Sequence, residues 1–189
     1  MPIITGLDLS LTATGIVRAE VGAHDPRVLT ALVGSDAVCG VRVPVGQPTL
    51  AGRSSRLRRL AGAIYDHAKG SDLVVIEAPA YSRNSGSAHD RAGLWWLTVG
   101  RLTGTGHNVV EIENNTLKVY GTGKGNVDKD VVLAAVIKRY PDVDVQNNNV
   151  ADALCAAAMG CRFSGHPIEP SLPETHVRAM KAPKWAPTT

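Results

Sequence analysis

The sequence predicts one α/β domain built on a mixed sheet, and three observations carry that prediction. Residues 3–17 read as two apolar strands joined by a tight Ser/Thr/Gly turn. Residues 50–77 read as an amphipathic helix followed by a buried strand, a strand-helix-strand crossover. Residues 147–160 form an Ala-rich helical run with a single charge, Asp152. At 189 residues the chain has the size of one domain of about 100 to 200 residues.

The elements follow in order. Strands 2–8, 14–21 and 27–34 form a meander whose first strand ends in Asp8, and a polar, Pro-bearing loop comes next. Leu50, Leu57, Leu60, Ala61 and Ile64 fall at helical spacing in a helix over 50–69. The apolar strand 72–77 ends in Glu77 and is broken by Pro79. Helix 87–103, strand 109–112, a short helix 114–120, a longer one 128–140 and the last helix 148–162 complete the domain, set at residues 1–163. From Ser164 to Thr189, five prolines and no apolar period predict an irregular tail. There are no internal repeats.

Three isolated acids stand on the termini of buried elements. A carboxylate at a strand tip meets a metal or a phosphate, or else caps its own turn, and Asp8 alone fits both. Glu77 repeats the arrangement at the end of the second apolar strand. Burying a lone carboxylate costs several kcal/mol or forces its protonation, so Asp152 inside an apolar helix needs a partner. Asn149 lies three positions earlier, on the same helix face. Together the three acids suggest a divalent cation site.

The ordered set, strand-Asp-turn-strand, strand-Glu, then Ala151-Asp152-Ala153-Leu154 on a late helix, resembles the RuvC-like Holliday junction resolvases of the ribonuclease H-like superfamily. The stretch from Leu117-Lys118-Val119 through Thr122-Gly123-Lys124-Gly125 to Lys129 resembles that family's basic Gly-containing segment before a helix. The likeness runs from about Ile3 to Arg162; no single word in it is specific, whereas the order is fairly so. It implies a ribonuclease H-like mixed five-stranded sheet with helices on both faces. It also implies that Asp8, Glu77 and Asp152 are metal-binding catalytic carboxylates, and that Lys118 and Lys129 contact the DNA backbone near the site.

Two positions depart from the family pattern. Asn149 stands where the family places a fourth acid or a His; an amide oxygen can ligate a metal but brings no charge. The family's DNA-stacking aromatic follows the Glu closely, and Tyr81 is the nearest candidate, offset behind a Pro; it is either a stacking residue or an ordinary surface Tyr.

Net charge is +3, modest support for a polyanionic partner. Its distribution says more. Arg53, Arg56, Arg58 and Arg59 crowd one helix and read as a solvated face, whereas Lys118, Lys124 and Lys129 flank Gly121, Gly123 and Gly125, where backbone could approach phosphates. Cys39, Cys155 and Cys161 are too few and too widely spaced for a CxxC site, which fits a reducing cytosol. The six histidines show no paired ligand spacing, so zinc is not expected; His89 could approach Glu77 or lie on the surface. The Gly121-to-Gly125 segment lacks Walker spacing and a preceding strand. No run of 18 apolar residues supports membrane insertion.

Trp95 and Trp96 diverge by about 100° on their helix, so one should reach a second surface. Leu94, Trp95, Leu97, Leu102 and Trp96 could form a dimer seam, which the resemblance also places on this helix; otherwise Trp96 belongs to one larger core.

The reading implied is a Mg²⁺-dependent endonuclease, with Mn²⁺ able to substitute, cutting four-way or other branched DNA as a homodimer. In a two-metal site Asp8 would bridge, Glu77 would hold one ion, and Asp152 with Asn149 the other. A branch or flap nuclease with looser preference, a non-cleaving junction-binding module and a nucleotide-binding domain of actin-like type are the alternatives, the last opposed by the lack of a second lobe.

Overall fold

The computed structural model describes residues 1–22, 26–35, 39–46, 49–79 and 87–185. Among the described residues six strands, β1 (Ile3–Asp8), β2 (Thr14–Glu20), β3 (Arg27–Gly34), β4 (Val41–Arg42), β5 (Leu73–Glu77) and β6 (Val109–Ile112), form one sheet in the order β4-β3-β2-β1-β5-β6. The meander β1-β2-β3 is antiparallel, while β5 and β6 join β1 in parallel through helical crossovers. The sequence reading expects five strands; the sixth, β4, has two exposed residues paired to the edge of β3, too short to show a period. The fold class is the expected mixed α/β sheet.

Helices cover both faces. α1 (Leu50–Ala68) and α2 (Ala88–Gly104) pack on one, enclosing Leu7, Ile16, Val74 and Ile76 with Leu60, Ile64, Leu94 and Leu102. α5 (Asn148–Phe163) covers the other, over Ile4, Val17, Ala19 and Val75, and α3 (Asn114–Thr122) and α4 (Lys129–Arg139) pack beside it.

Small residues let α5 lie directly on the sheet, which explains its composition. A Cβ on Gly6 would overlap the Ala153 carbonyl, one on Gly15 the Asn149 carbonyl, and one on Gly160 would come within 2.6 Å of Ile4. The helix therefore crosses β1 with Asn149 beside Gly15, Ala153 and Ala157 over Gly6, and Gly160 over Ile4. Dispersion and apolar burial at such close range need these positions to stay small.

Residues 164–185, expected to be irregular, fold back instead. They contain α6 (Glu174–Val177) and a 3₁₀ turn (Arg178–Lys181), both packed against α3. Ile168, Leu172, Met180 and Trp185 sit against the α5-side core, and Trp185 stacks on Phe163 at 4.6 Å. Apolar anchors this sparse leave no period to read.

A further expectation changes. Leu94, Trp95 and Leu102 are buried in the chain's own core and cannot form a seam, whereas Trp96 is 67% exposed and Leu97 is also exposed. The glycines after Lys118 also have roles within the fold. Gly121 is buried within α3 against Cys155, Gly123 ends α3 at φ 78°, and a Cβ on Gly125 would strike Asn115.

Among the described residues no helix is long and apolar enough to cross a membrane. No disulfide joins the three cysteines.

Candidate metal centre

Pleat alternation puts two of the acids on the same side of the sheet. Along β1, Ile4, Gly6 and Asp8 face α5; along β5, Leu73, Val75 and Glu77 do. The strands are parallel neighbours with Leu7 opposite Ile76, so Asp8 and Glu77 emerge side by side at their carboxyl ends. Close packing of α5 then lowers Asp152 onto the same spot.

The result is a cluster in which one carboxylate oxygen from each of Asp8, Glu77 and Asp152 lies within 4.8 Å of the others. Asp152 is buried, and Asp8 and Glu77 are partly so. Burial first, then the charges of Glu77 and Asp152, push the Asp8 carboxyl well above its ordinary range. Burial and the Glu77 charge push Asp152 up to about 7, while Lys129 and Lys118 pull it down. Three carboxylates so placed repel one another until a cation or protons neutralise them. All-oxygen, anionic donors suit a hard divalent ion such as Mg²⁺ or Mn²⁺, so the residues fit the metal the sequence suggests.

Neighbouring groups hold the cluster. Asn114, the first residue of α3, donates from Nδ2 to Oε1 of Glu77 at 2.7 Å. The Trp95 indole donates to the Glu77 carbonyl at 3.0 Å, and Trp96 meets Trp95 edge-on at 4.8 Å. Asn149 Nδ2 donates to Ala13 O at 2.5 Å, tying α5 to the β1-β2 turn and leaving Oδ1 outside that bond. Capping of α5 falls to Asn147, whose side chain accepts from the Val150 amide at 3.0 Å, so Asn149 is not the cap. The turn itself is closed by Ser10 and Thr14.

A cleft of about 770 Å³ opens over Asp8 and Glu77, with His89, Trp96, Lys129 and Asn149 also in its lining. Lys129 heads α4 there, exposed. Lys118 lies behind it, donating from Nζ to Val127 O at 2.9 Å. Lys124 is exposed in the turn after α3. Tyr81 lies outside the described residues. Of the α1 arginines, Arg53, Arg58 and Arg59 are exposed as on a solvated face, Arg53 pairing with Asp90 at 2.5 Å and Arg59 reaching Pro44 O, while Arg56 donates to Leu11 O and Ser35. Sequence reasoning missed Asn114, Trp95 as a support for Glu77, and Glu111 and Glu113, which also line the cleft. Their positions follow only from how β6 and α3 sit beside β5.

No protein-family model matches the chain, and no curated protein does. Solved structures do. RuvC of Thermus thermophilus superposes with a TM-score of 0.62 at 18% identity, covering 87% of this chain and 97% of that one. The same protein in complex with a Holliday junction substrate matches with equal coverage at 15% identity and a TM-score of 0.62. The fold is that of the RuvC resolvases. The yeast mitochondrial Holliday junction resolvase Ydc2 matches at 7% identity and a TM-score of 0.57, over 82% of this chain and 75% of that one.

Proposed function

We propose that this protein is a divalent-metal-dependent endonuclease that hydrolyses phosphodiesters in four-way or other branched DNA. The observation that carries the reading is the convergence of Asp8, Glu77 and Asp152 from three separate elements within 4.8 Å, in a RuvC-like fold. A protein this small does not keep three mutually repelling, partly buried carboxylates for stability.

A phosphodiester resists attack because nucleophile and phosphate are both negative, and a divalent ion pair bound here supplies charge neutralisation and water activation. Asp8, Glu77 and Asp152 would hold the ions, Asp8 shared by both, Glu77, steadied by Asn114, serving one and Asp152 with the Asn149 amide oxygen the other. Lys118, Lys124 and Lys129 contact the DNA backbone, with Lys129 nearest the cleft, and Tyr81 stacks on a base. Cutting leaves a 5′ phosphate and a 3′ hydroxyl. Two copies related by a twofold axis match the symmetry of a four-way junction, with Trp96 and Leu97 the exposed apolar residues of α2 that remain for the seam. Reduced cysteines fit a cytoplasmic setting.

A non-cleaving junction-binding module is the second reading, favoured by the uncharged Asn149. Incubating the protein with labelled four-way, three-way, flap and linear DNA in Mg²⁺ or Mn²⁺ decides among the readings. Paired symmetric nicks near the branch point of four-way DNA support the resolvase. Nicks on every branched form indicate the looser nuclease, and tight binding without nicks the module.

A further inference from the structure

The C-terminal segment grips the far end of the helix that touches the carboxylate site. α3 has nine residues, too few to be stable alone, and its last carbonyls need partners from elsewhere. Arg139 donates to Tyr120 O at 3.0 Å and to Gly121 O at 2.7 Å, and Arg178 donates to Gly123 O at 3.0 Å. His176 Nδ1 lies 2.8 Å from Tyr120 O and 3.0 Å from Arg139 Nη2, so the ring sits between the end of α3 and the guanidinium that holds it. Beneath them Glu169, 3% exposed, accepts from the hydroxyls of Tyr120 and Tyr140 and from Arg162 at 3.1 Å. A buried carboxylate with this many donors is costly to disturb.

The other end of α3 belongs to the site. Asn114 holds Glu77, and Lys118, one turn on, is among the charges acting on Asp152. A helix of this length spans about 13 Å and moves as one body, so a shift at Tyr120 is passed to Asn114.

We propose that Glu169, His176 and Arg178 are positioning residues, through which the C-terminal segment holds α3 so that Asn114 keeps Glu77 in its ligating orientation. The inference rests on the nuclease reading for its activity readout but not for its structural one.

The test is a double-mutant cycle in the full-length protein. His176→Ala with Arg178→Ala is expected to lower the single-turnover cutting rate about tenfold while the affinity for uncut junction in Ca²⁺ stays within about twofold. Asn114→Ala alone should give a similar loss, and adding it to the C-terminal pair should cost less than about threefold more, because both act on Glu77. His176→Asn, whose side-chain amide keeps a polar group between Tyr120 O and Arg139, should restore the rate. Hydrogen exchange should quicken across α3 in the His176/Arg178 variant while β1 and β5 stay protected. Losses that multiply, or α3 amides that exchange as in the wild type, overturn the proposal. If the wild type cuts nothing, the nuclease reading fails by itself. Exchange then decides the positioning role, carried by faster exchange at residues 114–122 and overturned by its absence.

Discussion

Asn114 and Glu77 are joined by a 2.7 Å hydrogen bond between side chains 37 residues apart, linking the start of α3 to the end of β5. The bond satisfies one Glu77 oxygen and leaves the carboxylate directed toward Asp8 and Asp152. A centre this crowded with negative charge gains stability from whatever removes a charge, and that has consequences for its behaviour without metal.

Asp8→Asn and Asp152→Asn should each abolish cutting, keep junction binding, and raise the melting temperature in EDTA. The effect should depend on pH. Asp152 releases its proton near 7 in the folded protein against 3.8 ordinarily, so between those values the folded state holds a proton the unfolded chain has lost. Stability therefore falls as pH rises through that window, and the penalty is complete above it. Melting curves from pH 4 to 8.5 should slope down more steeply for the wild type than for Asp152→Asn, and Mg²⁺ should flatten the difference. Parallel curves would contradict the shared site.

Lys129→Ala should weaken junction binding and flatten the plot of log affinity against log salt by about one unit, as for one lost phosphate contact. It should also shift the acidic limb of the cutting profile to higher pH, because Lys129 lowers both Asp8 and Asp152. Arg58→Ala should do neither. Equal salt slopes for the two variants would mean that only net charge matters.

Asn149→Asp should lower the Mg²⁺ concentration for half-maximal cutting, since a fourth anionic ligand strengthens a site for an ion that gives up water reluctantly. Asn149→Ala should cost less activity than Asp152→Ala, although it also removes the tie to Ala13. A Mg²⁺ titration unmoved by Asn149→Asp would exclude the ligand role.

Polar replacement of Trp96 and Leu97 should leave the fold intact and convert a dimer to a monomer in sedimentation, turning paired nicks into isolated ones. Trp95→Ala, in contrast, should cost about 3–5 kcal/mol of stability, as large core truncations do. A wild type that sediments as a monomer at micromolar concentration removes the seam altogether.

The mixed sheet, the strand ends carrying Asp8 and Glu77, and the helix carrying Asp152 were all legible in the residue pattern. Each depends on short-range patterns: alternation along strands, helical spacing of apolar residues, and an acid isolated in an apolar run. The RuvC-like order of those elements was legible for the same reason. Folding alone reveals that Asn114 and Trp95 support Glu77, that Asn149 ties α5 to the turn while Asn147 caps the helix, and that Leu94, Trp95 and Leu102 belong to the core. It also reveals that the glycines near Lys124 serve packing and that the C-terminal segment closes on α3. These relationships join residues tens of positions apart through contacts only a few ångströms long. No local period encodes them, and they exist only once α5 has settled on the glycines of β1 and β2 and the crossovers have set β5 and β6 beside them.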